Sequence, residues 1–398
     1  MRKKNQPKIE DLLSALPDEI LRYILSFLPT KFAFTTSVLS KRWNSICYSL
    51  TALHFDDKAE EDEETYTRFR RFVDNVLLSP RFQHHPIETL SIVSHSELSR
   101  NRCRFNTDEW IEAAKRRSVK NLQLSTVCSQ LCLLPGIFTS SQTLVVLKLT
   151  GIVMDHGVGS VDLPSLRTLH LNHVLFDQRD DVMKILNGCP IVEDLTVLTP
   201  SFECPIVTGG FKTLPNLPKV VKAHINAFDV PFNAIPNVEF LQIEDMERRC
   251  PDVYIESYYR EKPVFRNLIN LKLSFVCFPG WVGVMEVLPY CPKLQTLDIE
   301  KLVYWHNYQE KWAHTKELVP ECVSLHLTTC SIGNYQIKGM YDDFDFTAYI
   351  LQNARVLQVL TLHINRHSDE SEKDRFFKRL SRCSRISPAC KIECIFVP

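Results

Sequence analysis

The chain has 398 residues, and its 47 Lys plus Arg are balanced by 47 Asp plus Glu, so the formal net charge at neutral pH is zero. A chain without a field of one sign is not drawn to nucleic acid or to an anionic membrane surface, and we predict neither as a partner. Its first ten residues are polar and basic, and no apolar run approaches the roughly 20 residues that a membrane helix needs, so we expect a nuclear or cytoplasmic protein.

The first fifty residues predict three short helices after a disordered stretch over residues 1–11. Leu16-Pro17-Asp18-Glu19-Ile20 places a proline and two acids where a helix begins. Apolar residues then recur at the spacing of a helix face, at Ile20, Tyr23, Ile24, Phe27 and Leu28. Pro29 ends this helix, and Thr30 and Ser40 can cap the second and the third. Because three short helices bury too little surface to be stable alone, this segment is expected to need a partner.

These residues resemble the F-box of plant proteins. The similar stretches are Leu16-Pro17-Asp18-Glu19-Ile20-Leu21, Ile24-Leu25-Ser26-Phe27-Leu28-Pro29-Thr30-Lys31 and Val38-Leu39-Ser40-Lys41-Arg42-Trp43. The resemblance implies docking on an S-phase-kinase-associated (Skp) adaptor, and through it on a cullin and a RING subunit of a ubiquitin ligase. The residues that it places at the adaptor are Leu16, Pro17, Ile20, Ile24, Leu25, Leu28, Val38, Leu39 and Trp43. The alternative is that the helices only cap the repeats that follow.

Acidic residues fill seven of the nine positions in 56–64, which predicts a solvated loop. Residues 65–78 then have the apolar spacing of an amphipathic helix, and Asn106-Thr107-Asp108-Glu109 is typical of another helix start. The pair His84-His85 has no third metal ligand beside it, so we interpret it as a surface turn rather than a metal site.

A six-residue pattern, apolar-x-x-apolar-x-apolar, recurs about every 27 residues in eleven copies. A period of roughly 20–29 residues with this core is typical of a leucine-rich-repeat solenoid, in which stacked repeats share one core. The central apolar residues are Leu90, Leu122, Leu147, Leu169, Leu195, Ala223, Leu241, Leu271, Leu297, Leu325 and Leu360. This assignment puts Cys330 and Asn365 five residues beyond central positions, where regular repeats carry an asparagine or a cysteine.

A proline stands five residues before the central position in six copies. These residues are Pro164, Pro190, Pro218, Pro236, Pro292 and Pro320. Proline lacks a backbone donor and pushes the preceding residue into extended geometry, so we predict that each of them ends a helix and begins a strand.

The last 80 residues resemble the FBD region of plant F-box proteins. The similarity rests on Val319-Pro320-Glu321-Cys322, on a predicted helix at 348–357, and on residues 379–384 before a final strand at 390–397. The two resemblances, the repeat pattern and the acidic stretch together predict an α/β chain with a three-helix F-box at 12–55, an acidic loop at 56–64, an irregular leucine-rich-repeat solenoid at 65–318 and an FBD cap at 319–398. In such a solenoid the strands are parallel and the helices lie outside.

Nothing in the chain matches a catalytic or cofactor-binding motif, so we predict a non-catalytic protein that needs no cofactor. The 14 cysteines include no CxxC pair, and we interpret them as buried free thiols rather than zinc ligands or disulfides. Cys189 and Cys291, each just before a strand-opening proline, fit that interpretation. The acid pairs Asp180-Asp181 and Asp342-Asp343 fall in loop-like stretches and are predicted to be solvated.

Side chains alternate along a strand, so the residues beside each central position are predicted to face a concave surface. Those expected to contact a target protein are His170, His224, Lys272, Asp298 and His326. Tyr304, Trp305 and Tyr308, in a loop that also holds Trp312, are aromatic candidates for the same contact, because such side chains anchor interfaces. The alternative is that these rings pack on the repeats.

The resemblance implies a substrate-receptor subunit of a Skp–cullin–F-box ubiquitin ligase, in which the F-box docks on the adaptor and the repeats hold a protein target. One alternative is a scaffold that binds the adaptor without forming an active ligase. Another is an enzyme with an unrecognised active site. Co-purification of the cullin separates the first two hypotheses.

Overall fold

The computed structural model describes residues 13, 15–58, 62–80, 85–95, 107–126, 131–133, 135–154, 156–178, 180–199, 215–226, 229–244, 263–275, 280–301, 319–337, 341–365 and 370–397. The chain divides into two compact units, which comprise residues 1–157 and 158–398. Within the described residues no helix is both long and apolar enough to cross a membrane.

Three short helices open the first unit: α1 (Asp18–Ser26), α2 (Thr30–Thr35) and α3 (Lys41–Tyr48). As predicted, Ser40 caps α3, where its hydroxyl accepts a hydrogen bond from the Trp43 N–H at 3.3 Å. The prediction for Thr30 is wrong, because Pro29 occupies the capping position. The buried Thr30 hydroxyl instead accepts a hydrogen bond from the His54 N–H at 2.6 Å, which ties α2 to the first strand.

The described strands of the first unit are β1 (Ala52–Asp56), β2 (Thr89–Ser94), β3 (Asn121–Thr126), β4 (Leu131–Leu133), β5 (Val146–Thr150) and β6 (Ile152–Met154). The strands β1, β2, β3 and β5 pair in parallel and in register, which places Leu53, Leu90, Leu122 and Leu147 side by side. The short strands β4 and β6 pair in parallel with each other. Helix α4 (Glu63–Leu77) precedes β2, and α5 (Thr107–Arg116) precedes β3. Strand β1 adds a repeat that the eleven-copy pattern does not include.

The acidic stretch before α4 was predicted to be a solvated loop, but one of its described residues is buried. Asp57 is buried, and it accepts hydrogen bonds from the Ser94 hydroxyl at 2.7 Å and from the His95 N–H at 2.5 Å. Asp62 caps α4 by accepting hydrogen bonds from two N–H groups of the first turn, at 2.8 and 2.9 Å. The helix therefore begins at Glu63, two residues earlier than predicted.

The described strands of the second unit are parallel, and each pairs with the next one along the chain. They are β7 (Thr168–Asn172), β8 (Asp194–Leu198), β9 (Lys222–Asn226), β10 (Phe240–Glu244), β11 (Asn270–Phe275), β12 (Thr296–Lys301), β13 (Thr329–Tyr335), β14 (Val359–Asn365) and β15 (Lys391–Val397). The described helices are α6 (Asp180–Asn187), α7 (Gly280–Val287), α8 (Glu321–Leu325), α9 (Tyr341–Asn353) and α10 (Glu370–Ser381). The predicted α/β class, with parallel repeat strands and helices between them, is confirmed.

Ten of the eleven predicted central residues lie on strands and are at most 3 % exposed. Their neighbours on either side are partly exposed, as the alternation of a strand requires. In β7, for example, Leu169 is buried, whereas Thr168 and His170 are accessible. The register predicted for those ten copies is therefore correct.

A turn built on proline opens many strands of the second unit. Pro164 follows Leu163, whose carbonyl accepts a hydrogen bond from the Leu166 N–H at 3.2 Å, as in a β-turn with proline at its second position. In two other repeats the first residue of this turn is a cysteine, Cys189 in one and Cys291 in the other. Both thiols are fully buried. Burial raises the pKa of the Cys189 thiol to about 12. These cysteines fill the core as small apolar residues, as predicted.

The copy centred on Leu325 is wrong. Two overlapping matches to the pattern stand here, and only the second, Leu327-Thr328-Thr329-Cys330-Ser331-Ile332, contributes to a strand. Cys330 pairs with Leu297 and is fully buried. It is therefore a central residue itself, and not the asparagine-or-cysteine position five residues beyond one. Pro320 begins helix α8 rather than a strand. Most of the first match, residues 322–327, lies in this helix, and Leu325 is half exposed.

In both acid pairs that were predicted to be solvated, the second residue is buried. Both pairs lie in helices rather than in loops. Asp181 lies in the first turn of α6, where its carboxylate accepts a hydrogen bond from Lys184 Nζ at 2.7 Å. Asp343 lies in α9 and receives hydrogen bonds from three other parts of the second unit. Spacing along the chain did not reveal these partners.

Candidate functional site

The three N-terminal helices leave many large apolar side chains exposed to solvent. We call this set the apolar helical face; it comprises Leu13, Ile20, Tyr23, Ile24, Phe27, Leu28, Phe32, Val38 and Leu39. Val38 is 85 % exposed and Phe27 is 68 % exposed, far more than a packing role would leave. Exposed apolar side chains on three neighbouring helices make this face a candidate docking surface for another protein.

Helical periodicity explains why one helix has both a buried and an exposed apolar side. In α1, Leu21 and Leu25 are one turn apart and at most 2 % exposed, so they attach the helix to its neighbours. Ile20 and Ile24 are also one turn apart but face solvent. The sequence of α1 therefore supplies more apolar residues than its own packing uses.

The residues predicted to contact an adaptor divide into three groups. Six are exposed, namely Pro17, Ile20, Ile24, Leu28, Val38 and Leu39, and Leu16 is half-buried. Leu25 and Trp43 are buried within the helices, so they can support a docking surface but present little of it. Tyr23, Phe27 and Phe32 are exposed but were not among the predicted contacts. The apolar spacing of α1 already contained Tyr23 and Phe27, whose rings meet edge to face at 4.8 Å.

Polar contacts hold α1 against α3. The guanidinium of Arg42 donates to Asp18 Oδ1 from Nε at 2.8 Å and to the Leu16 carbonyl at 2.5 Å. The Cys47 thiol donates to the Ala33 carbonyl at 3.2 Å and links α3 to α2. These contacts fix how the helices present their exposed side chains.

A second candidate surface is the exposed side of the strands in the second unit. The residues that follow the central positions lie side by side from β7 to β15, in the order His170, Thr196, His224, Gln242, Lys272, Asp298, Ser331, Thr361 and Glu393. We call this set the polar strand row. It contains four of the predicted target-contacting residues, which the sheet therefore places along one line.

Ion pairs and hydrogen bonds connect this row to neighbouring positions. His170 Nε2 lies 3.3 Å from Asp194 Oδ1, and Lys272 Nζ lies 3.4 Å from Glu300 Oε2. All four side chains are partly exposed, so a protein bound here meets the Lys272–Glu300 ion pair and the polar His170–Asp194 contact rather than a patch of one sign.

Glu244, which lies two residues beyond the row, and Asp298, which belongs to it, have pKa values shifted by their surroundings. The hydrogen bond with His224, whose Nε2 lies 3.0 Å from Glu244 Oε1, is the main reason that the pKa of Glu244 falls to about 2. Gln242 Nε2 donates to the same oxygen at 2.6 Å and acts in the same direction, whereas burial opposes both. At Asp298 burial prevails and raises the pKa, although Lys272 partly compensates.

The remaining predicted target contacts are not in the row. His326 follows helix α8 and is exposed, because the strand begins five residues later than the repeat pattern implied. Tyr304, Trp305, Tyr308 and Trp312 lie outside the described residues. Glu244, Glu300 and His363 were not predicted, although each stands two residues beyond a member of the polar strand row and the same alternation exposes it.

Three protein-family models match separate parts of the chain. The model of the F-box domain matches residues 13–54, and the model named FBD matches residues 315–362. The model described as "FBD-associated F-box protein At5g56370, LRR repeats" matches residues 107–217.

Curated proteins from Arabidopsis thaliana are similar over almost the whole chain. The "Probable FBD-associated F-box protein At1g32375" is 28 % identical, in an alignment that covers 96 % of this chain and 99 % of the relative. The "F-box/FBD/LRR-repeat protein At5g56420" is 26 % identical over 96 % of this chain and 98 % of the relative. The "FBD-associated F-box protein At5g56370" is 27 % identical over 96 % and 99 %. The three family models place an F-box, repeats and an FBD region in this order along the chain.

Proposed function

We propose, because this chain belongs to the plant F-box/FBD/leucine-rich-repeat proteins, that it is a substrate-receptor subunit of a Skp–cullin–F-box ubiquitin ligase. The F-box at residues 12–55 docks on a Skp adaptor, which joins it to a cullin and a RING subunit. The repeats at residues 65–318 hold the protein that is to be ubiquitinated. The chain itself performs no catalysis; it positions the target.

The apolar helical face is the observation that supports this proposal. A segment that only capped the repeats would bury its apolar residues and expose polar ones. Here Ile20, Ile24, Val38 and Leu39 face solvent while Leu21 is fully buried, so the exposed set is additional to the packing set. Full burial of one such side chain contributes roughly 1.5–3 kcal/mol, and a few of them suffice for stable docking.

For the target, we propose the polar strand row. His170, His224, Lys272 and Asp298 are accessible in part and can form hydrogen bonds and ion pairs with a protein surface. Their mixed signs favour a polar target of mixed charge over a polyanion. His326 and the aromatic residues Tyr304, Trp305 and Tyr308 remain predicted contacts from outside this row.

The test is adaptor binding by the double variant Ile24→Asp, Val38→Asp. Both positions are exposed, at 39 % and 85 %, so the carboxylates are solvated in the free protein and cost little stability. In the docked complex they would be desolvated without partners, and we expect affinity for a purified Skp adaptor to fall at least a hundredfold. The melting temperature should stay unchanged.

Two matched variants make this test specific. Leu325→Asp alters an equally exposed apolar residue outside the apolar helical face, and it should leave adaptor binding intact. Leu21→Asp places a carboxylate in the buried side of α1, and it should unfold the helices. Undiminished adaptor binding by the double variant would contradict the proposed docking mode.

Reconstitution separates a ligase subunit from a scaffold. The chain, the adaptor, the cullin and the RING subunit should co-elute in gel filtration when mixed. A stable complex with the adaptor that excludes the cullin would instead support the scaffold and overturn the ligase proposal.

A further inference from the structure

Strand β15 forms an outer edge among the described strands of the second unit. It follows β14 in the sheet order and pairs with it in continuous register at all seven positions, from Lys391 to Val397. Its sequence, Lys-Ile-Glu-Cys-Ile-Phe-Val, contains no proline. Long edge strands usually carry prolines, bulges or inward charges that prevent pairing with other chains. This strand has a continuous register and charges only near its start.

The side chains of β15 that point toward the core are incompletely covered. Ile392, Cys394 and Phe396 pair with Leu360, Leu362 and Ile364 of β14. The three residues of β14 are fully buried, whereas their three partners in β15 are partly exposed. The described structure thus leaves an apolar row at this edge.

The backbone groups at the free edge belong to the same three residues. The Lys391 N–H donates to the Gln358 carbonyl at 2.8 Å, so the backbone of Lys391 faces β14. Because successive residues of a strand turn their N–H and C=O groups to opposite sides, Ile392, Cys394 and Phe396 point theirs away from β14. The edge therefore offers three N–H donors and three carbonyl acceptors next to apolar side chains.

We propose that a second copy of this chain pairs with this edge, β15 to β15 in antiparallel orientation, about a twofold axis that passes beside Cys394. In this register Cys394 faces Cys394 of the second copy in a hydrogen-bonded pair. Ile392 faces Phe396 of the second copy, and the reverse pair forms on the other side of the axis. All three pairs use backbone groups that point outward in both chains.

The pattern of residues fits a second copy in particular. The apolar row of β15 has the small side chain of Cys394 at its centre and the larger Ile392 and Phe396 on either side. Cys394 would lie at the twofold axis, where the two chains come closest. The row carries no charge. On the opposite face, Lys391 Nζ already donates to Glu393 Oε1 at 2.6 Å, and the two would stand across from Val397 and Ile395 of the second copy.

Symmetry also favours this arrangement. A twofold pair uses the same edge of both chains and closes, so no strand edge remains at this end to recruit a third chain. The pairing does not use the apolar helical face, and Glu393 is the one member of the polar strand row that lies on the paired strand. The proposal is therefore independent of the proposed ligase function.

The first measurement is the mass of the full-length chain in solution by light scattering after gel filtration. We expect twice the monomer mass of 46.1 kDa at micromolar concentration. Cys394→Pro removes an N–H that points away from β14, so it should leave the sheet bonds within one chain intact and yield a monomer with an unchanged melting temperature. Ile386→Thr changes an exposed apolar residue outside β15 and should remain dimeric.

The second measurement needs no destabilising variant. Paired residues of this type lie about 5.5 Å apart between Cα atoms, so a short thiol-reactive crosslinker should join two wild-type chains through Cys394. Cys394→Ser should abolish this product. Cys383→Ser should not, because Cys383 is a similarly half-buried thiol in the turn after α10. A monomeric wild-type chain, a dimer that survives Cys394→Pro, or crosslinks that map to other cysteines would each overturn the proposal.

Discussion

Asp343 is a buried carboxylate on which three parts of the second unit converge. Its side chain is 2 % exposed and accepts hydrogen bonds from Trp281 Nε1 at 3.2 Å and from the Gln336 N–H at 3.1 Å. Lys301 Nζ, at the end of β12, donates to the same carboxylate. These contacts connect α7, β12 and the segment after β13 to α9, within the FBD region.

Replacing Asp343 with alanine should destabilise the second unit by about 3–5 kcal/mol, the usual effect of breaking a buried ion pair. The magnitude follows from what is left behind. Lys301, only 21 % exposed, loses its counter-charge, and the indole of Trp281 and the N–H of Gln336 lose their acceptor, at roughly 1–3 kcal/mol for each buried donor. Such a loss lowers the folding equilibrium constant at least a hundredfold.

Asp345 provides a matched control on the same helix. Its carboxylate lies 3.4 Å from Arg379, but the two side chains are 33 % and 47 % exposed, so Asp345→Ala should cost less than about 1 kcal/mol. We would compare both variants by urea unfolding and by hydrogen exchange of peptides from β12 to β14, because two units need not unfold together. Equal losses in the two variants would refute the assignment of Asp343 as a buried connecting residue.

Two further predictions test the repeat register and the electrostatics of the polar strand row. Cys330→Asp should lower the free energy of unfolding by several kcal/mol and reduce the folded fraction, because it buries a carboxylate in the core. Leu325→Asp should be tolerated, because Leu325 is half exposed. The opposite result in thermal unfolding would support the original register centred on Leu325. Since the folded-state pKa of Glu244 is about 2, below the roughly 4.3 of an unfolded glutamate, its contribution to stability is present above pH 4.3 and is lost as the pH falls toward 2. The free energy of unfolding should therefore fall by about 1 kcal/mol more in the wild type than in Glu244→Gln between pH 6 and pH 3.5, and an equal fall in the two proteins, measured by urea unfolding, would contradict this.

Much of the fold was predictable because it depends on local rules. The alternation around Leu169 or Leu297 sets which side chains enter the core, and this holds whatever the neighbouring repeat contains. The first turn of α1 and the cap at Ser40 likewise depend on residues within a few positions. The candidate site was predictable to the same extent, since the spacing of α1 indicates an apolar stripe that includes Ile24.

Tertiary structure decided everything that depends on a partner distant in sequence. The apolar spacing of α1 does not say which side faces solvent; only packing against α2 and α3 assigns Leu21 to the inside and Ile24 to the outside. Likewise the segment after Pro320 matches the repeat pattern twice, and the pairing of Cys330 with Leu297 selects the second match. Asp343 becomes a buried connection because Lys301, 42 positions away, reaches it. Local sequence determines the period of the repeats and the ends of several helices, but burial is a property of the assembled chain, because it depends on contacts that no local segment contains.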